Sequence, residues 1–155
     1  MRNAVRAIIL RDDKLLLMHR NKNGREYFAL IGGGIEPDET PEEALVREVH
    51  EEASLQLVNY RLVFIEQPDT MYGTQHIFLC DDPGGEVKIR DDAVEVADIA
   101  AGHNTYTLAW VPISRLASLP LLSAALKDAI ISALQNGWPD SPKTLQPSVD
   151  MRYTT

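Results

Sequence analysis

The chain of 155 residues carries a single cysteine, Cys80, so no disulfide can form within it. A lone thiol fits a reducing compartment, and the cytoplasm is the expected location. Cys80 itself reads as a packed strand residue. No apolar run approaches the roughly 20 residues of a membrane-crossing helix. Arg6 and Arg11 interrupt the short apolar stretch near Met1, which argues against a secretory signal. Basic residues are scarce as well: 15 Lys and Arg stand against 23 Asp and Glu, a net charge of −8. That balance argues against a broad basic surface for polymeric nucleic acid. A small polyanion remains a possible partner if metal ions bridge the two negative bodies.

What is present suits one globular domain, with 45% hydrophobic and 25% charged residues. Asn3 to Leu10 reads as a buried strand, and Asp12-Asp13 turns the chain into a second strand, Lys14 to His19. Arg20 to Arg25 is expected as a polar loop, with Tyr27 to Leu30 a short strand after it. Tyr27 and Phe28 alternate faces, so one enters the core while the other is free to stack on a base. Arg20, Lys22 and Arg25 are cations placed to meet phosphates; a solvated loop is the plainer reading. Further strands are expected at Gln56 to Glu66, Gln75 to Asp81, Glu86 to Ile89 and Tyr106 to Val111. Asp91 to His103 reads as a loop or a short helical insert. An amphipathic helix is expected from Leu121 to Asn136, closed by Gly137 with Pro139 beyond. The domain spans residues 1–137, and 138–155 form a tail expected to order only against a partner chain, such as a second copy.

The stretch from Ile31 to Leu55, IGGGIEPDETPEEALVREVHEEASL, organises the rest. Three consecutive glycines, Gly32, Gly33 and Gly34, let other groups approach the main chain, and Ile31 to Thr40 is expected to be irregular. Thr40, Pro41 and Glu43 form a capping box with proline at the first helical position. The helix should run from Pro41 to about Ala53. Leu45, Val46, Val49 and Ala53 make its apolar stripe. Glu48, Glu51 and Glu52 at i, i+3 and i+4 cluster on a flank of that stripe. Like charges so placed repel, and a hard divalent cation with oxygen ligands would relieve them. An acidic run alone is more often a solvated helix face; the glycine run feeding a capped helix is less generic.

These residues resemble the Nudix box, in which glycine, five residues, glutamate, seven residues and R-E-U-x-E-E-x-G-U follow one another, U being a bulky aliphatic. Gly33, Glu39, Arg47, Glu48, Val49, Glu51, Glu52 and Leu55 stand at the required spacing. Ser54 stands where the pattern has glycine, and Ile31 where many members have proline. The resemblance implies an α/β (α+β) sandwich, a mixed sheet between helices. It also implies a hydrolase of nucleoside diphosphates linked to another moiety, working with Mg²⁺ or Mn²⁺. Glu48, Glu51 and Glu52 would then hold the metal with the backbone carbonyl of Gly32, and Glu48 acts as general base in some members. Gly33 and Gly34 would lie against substrate, while Glu39 and Arg47 would brace loop against helix.

The substrate stays open between nucleoside triphosphates, ADP-ribose, nucleotide sugars and dinucleoside polyphosphates. Pro68 falls near a proline of the ADP-ribose hydrolases and Tyr72 near a tyrosine of the dinucleoside polyphosphate hydrolases. Glu95, Asp98, His103 and Asn104 are candidates for a further ligand outside the box. A nucleotide-sensing module without turnover is the competing reading, and Ser54 is the feature that favours it. Diphosphate isomerisation on the same fold is disfavoured, because Cys80 follows the box rather than preceding it.

Overall fold

The computed structural model describes residues 2–67, 73–88, 105–121 and 123–145. Eight strands, two α-helices and one 3₁₀ helix make up the described chain. Strands β1 (Ala4–Arg11) and β2 (Lys14–Lys22) form a hairpin through Asp12 and Asp13, both at positive φ. They pair only next to the turn, at Leu10 with Leu15 and Arg11 with Lys14, and then diverge. Each therefore founds its own arm of a mixed sheet.

One arm surrounds β1. It pairs antiparallel with β4 (Ile31–Gly34) on one side and parallel with β6 (Gln75–Cys80) on the other. Beyond β6 lie β5 (Tyr60–Glu66), antiparallel, and β8 (Lys143–Leu145), parallel to β5. The other arm places β2 between β3 (Arg25–Ala29) and β7 (Thr105–Pro112), both antiparallel.

Helix α1 (Pro41–Ala53) covers one face and helix α2 (Ala124–Asn136), with the 3₁₀ helix Ile113–Ser118, the other. Alternation along the strands feeds both layers. Val5, Ala7, Ile9 and Phe78 pack with Leu45, Val49 and Ala53 of α1. Ile8, Leu17, Leu30 and Ile77 pack with Leu126 and Ile130 of α2. Each fully buried Val, Leu or Ile among them contributes about 1.5–3 kcal/mol. Ala44 completes the buried stripe of α1, and Val46 packs at its margin. The sandwich expected from the sequence is the fold observed.

Several local expectations are corrected. The triple-glycine run is not irregular at its start: Ile31 to Gly34 is a strand, because bare glycine backbone can close onto β1 from Ala4 to Ala7. Arg20 to Arg25, expected as a polar loop, is mostly strand. Asn23 and Gly24 both take positive φ, 52° and 80°, and fold the stretch into a two-residue hairpin. Strand β5 starts at Tyr60 rather than Gln56, and α2 starts at Ala124 rather than Leu121, because Ser123 caps it by accepting from the Leu126 N–H. Residues 86–88 form no ladder, and Ile89 lies outside the described residues. Lys143 to Leu145 order against the chain's own β5, burying Leu145, without a partner chain.

Candidate functional site

Thr40 and Glu43 exchange side-chain and backbone hydrogen bonds at 3.1 and 2.9 Å, so α1 starts as its sequence dictates. The helix lies against β4, and that contact gathers the acidic residues. A Cβ on Gly33 would stand 2.5 Å from the Glu48 carboxylate, so the glycine is what admits that group to the strand. One helical turn further, Glu52 accepts the backbone N–H of Gly32 at 3.1 Å. Glu48 is largely buried, and that burial raises its carboxyl pKa above the usual range, against the pull of Arg47. Glu51 is half exposed at the solvent side of the cluster.

Arg47 occupies the centre. Its guanidinium donates to both Glu39 oxygens at 2.7 and 2.8 Å and to the Gly34 carbonyl at 3.0 Å. It also reaches Glu48 at 3.0 Å and Glu51 at 3.3 Å. One planar fork thus joins the 34–39 segment to α1. These bonds, with the Glu36 N–H, hold the Glu39 carboxyl down to about 2. Because that folded value lies below the ordinary 4.5, the pair stabilises the fold fully above about pH 4.5 and loses its contribution as pH falls toward 2. Acid titration of a Glu39→Gln variant should therefore lack a stability loss in that window that the unmodified chain shows. Equal acid profiles would contradict this.

Ser54 ends the helix in the left-handed conformation, φ 60° and ψ 26°, and its Oγ donates to the Lys88 carbonyl at 2.9 Å. The serine keeps the cap geometry that glycine adopts freely, and the hydroxyl bond offsets its cost.

The hairpin organises the other candidates. Arg20 stands opposite Tyr27 on β3 and Tyr106 on β7, so these three side chains share one face. The Arg20 guanidinium lies 5.4 Å from the Tyr106 ring centre, and its Nε is buried without a hydrogen-bond partner. Arg25, two residues before Tyr27, falls on the same face, and Lys22 pairs with it in register. Tyr106 was not singled out by the sequence; its alternation with Leu108 and Trp110 on a strand facing β2 was the available signal. Phe28 enters the core and stacks on His19 at 4.4 Å, leaving Tyr27 half exposed. Cys80 is buried and its thiol is pushed up to about 12, which leaves no thiolate for chemistry. Pro68, Tyr72, Glu95, Asp98, His103 and Asn104 lie outside the described residues.

A NUDIX domain model matches residues 1–133. The chain belongs to the Nudix family. Among its Nudix relatives is an ADP-ribose pyrophosphatase of Methanocaldococcus jannaschii, 42% identical over 97 residues. That match covers 59% of this chain and 57% of the relative. The NAD-capped RNA hydrolase NudC of Pectobacterium atrosepticum is 30% identical over 112 residues, 72% of this chain and 39% of that protein. The matches thus span 57% and 39% of these two relatives. A putative 8-oxo-dGTP diphosphatase of Bacillus subtilis is 28% identical and is covered over 85% of its length, with 91% of this chain. In structure, the ORF135 protein of E. coli superposes with a TM-score of 0.65 at 26% identity, over 91% of this chain and 95% of that one. An ADP-ribose pyrophosphatase of Streptococcus suis gives 0.63 at 23%, over 92% and 96%.

Nudix hydrolases as a family need a divalent metal. Among the described residues, no three His, Cys, Asp or Glu side chains are gathered into a ready-made cage. The donors nonetheless fit a hard cation such as Mg²⁺, which binds through one or two carboxylates and completes its shell with water and substrate phosphate. Every side-chain donor on the acidic flank is a carboxylate oxygen, and the recess at Gly33 admits Glu48 where any larger residue would exclude it.

Proposed function

We propose that this chain hydrolyses the diphosphate linkage of a nucleoside diphosphate joined to another moiety. The observation that carries this reading is the docking of Glu48 and Glu52, from the second half of a helix capped at its start, on consecutive glycines of β4. In this reading Glu48, Glu51 and Glu52, with the carbonyl of Gly32, hold Mg²⁺ or Mn²⁺. Bound metal supplies polarisation of the phosphoryl oxygens and a lowered pKa for an attacking water. The remaining work belongs to the chain. Glu48, the carboxylate seated in the Gly33 recess, is placed to accept the proton from an attacking water. Glu39 and Arg47 fix the glycine segment against α1. Gly33 and Gly34 keep the strand surface clear for phosphate. Arg20, Lys22 and Arg25 meet phosphate charge, and Tyr27 offers a face on which a base can stack.

The substrates for which these relatives are named, ADP-ribose, 8-oxo-dGTP and NAD-capped RNA, share a nucleoside attached to a phosphoanhydride. This common part is what the site is proposed to read, as a small nucleotide rather than a nucleic-acid polymer. Cytoplasmic location and a homodimer belong to the same proposal. Ser54 keeps the left-handed cap of the helix, which supports a hydrolase over a sensing module without turnover.

The test is product analysis after incubation of ADP-ribose, NAD, nucleoside triphosphates, nucleotide sugars and dinucleoside polyphosphates with Mg²⁺. Cleavage of the anhydride in one class, releasing a nucleoside monophosphate, is expected. Turnover of none, with metal present, would refute the assignment.

A further inference from the structure

Arg6 lies in the central strand β1 within a run of otherwise apolar residues, and it is half-buried. A guanidinium there loses hydration, and proteins normally compensate it with a carboxylate. Arg2, Arg11 and Arg47 each have one: Glu36, Asp82, and Glu39 with Glu48 and Glu51. Arg6 has none within ion-pair distance among the described residues. Its bonds run to neutral acceptors, the Leu30 carbonyl at 3.1 Å and the Gln75 side-chain oxygen at 3.3 Å. Together they use two of its five N–H donors.

Its place in the sheet is informative. Arg6 is the register partner of Gly32, the residue whose amide holds Glu52, and Leu30 directly precedes that strand. Strand β4 pairs with β1 alone and carries no side chains from Gly32 to Gly34.

We infer that Arg6 is a phosphate-binding residue of this chain, held by Leu30 and Gln75 at the glycine strand to receive anionic oxygen of a nucleoside diphosphate. The assignment rests on the hydrolase reading above for its substrate, and on geometry alone for its anion. The phosphate supplies the counter-charge that the fold omits, and the unused N–H donors give it a forked grip that lysine cannot reproduce.

Calorimetric binding of ADP and of adenosine, in EDTA at low salt, tests this on the unmodified chain, Arg6→Gln and Arg6→Lys. Arg6→Gln should weaken ADP roughly tenfold and leave adenosine unchanged, with Arg6→Lys between the two. In Mg²⁺ turnover, KM should rise by a similar factor while kcat stays within about threefold. ADP binding equal to that of the unmodified chain in both variants would overturn the inference. So would lowered thermal stability with unchanged ADP affinity, the mark of a brace on Leu30. If Arg6→Gln does not fold, Arg6→Lys decides, weaker ADP binding supporting the inference and unchanged binding overturning it. Arg6-dependent ADP binding in a chain without Mg²⁺-dependent turnover would refute the hydrolase reading and leave the phosphate site standing.

Discussion

Glu52→Gln should lower kcat by roughly 10²–10⁴-fold at saturating Mg²⁺, a loss of about 3–5 kcal/mol of transition-state stabilisation. The fold should survive. Glu52 accepts the Gly32 N–H through one oxygen, and the glutamine amide oxygen can take over that bond. What glutamine cannot supply is the charge. Its removal relieves repulsion within the acidic flank, so thermal stability without metal should stay level or rise slightly. Steady-state kinetics beside thermal melts in EDTA separate the two effects. A variant with full turnover would remove Glu52 from the site; a variant that fails to fold would make it structural.

Adjacent glycines of β4 should respond in opposite ways to the same substitution. At Gly33 φ is not positive, and the nearest obstacle to a methyl group is the Glu48 carboxylate 2.5 Å away, the mobile end of a side chain. Gly33→Ala should therefore displace Glu48, cutting kcat about 100-fold or more while costing only about 1 kcal/mol of stability. At Gly32 φ is 152° and a Cβ would run into the Val5 carbonyl, which is backbone and cannot move aside. Gly32→Ala should cost about 3 kcal/mol or more and unfold part of the population before any catalytic question arises. Denaturant melts and kcat for the two variants check the contrast. A stable, active Gly33→Ala chain would mean that Glu48 does not work from that recess.

The helix carrying the acids was legible residue by residue, because a capping box, an N1 proline and an apolar stripe are local signals that tertiary structure had no reason to override. The strand character of Ile31 to Gly34 was not. Glycine has no strand propensity, and only β1, some 25 residues earlier, makes this backbone extended. Arg20 to Arg25 read as a polar loop, and the positive φ of Asn23 and Gly24 narrows it to a two-residue turn with the cations on the strands. Arg6 first registered only as an interruption of an apolar run; that interruption was the clue to a cation the fold leaves without a carboxylate. Long-range pairing explains the remaining differences. Arg20, Tyr27 and Tyr106 come from three strands, and nothing short of the register β3–β2–β7 places them in one row.

The most direct test of the account is a Mn²⁺ titration of the metal-free chain, followed by calorimetry or by water-proton relaxation, beside the same titration of Glu52→Gln. The account predicts saturable binding by the unmodified chain, weakened about tenfold or more in the variant and tightened by ADP in the unmodified chain. Equal binding by both chains, or none by either in the presence of ADP, would contradict a metal site on Glu48, Glu51 and Glu52.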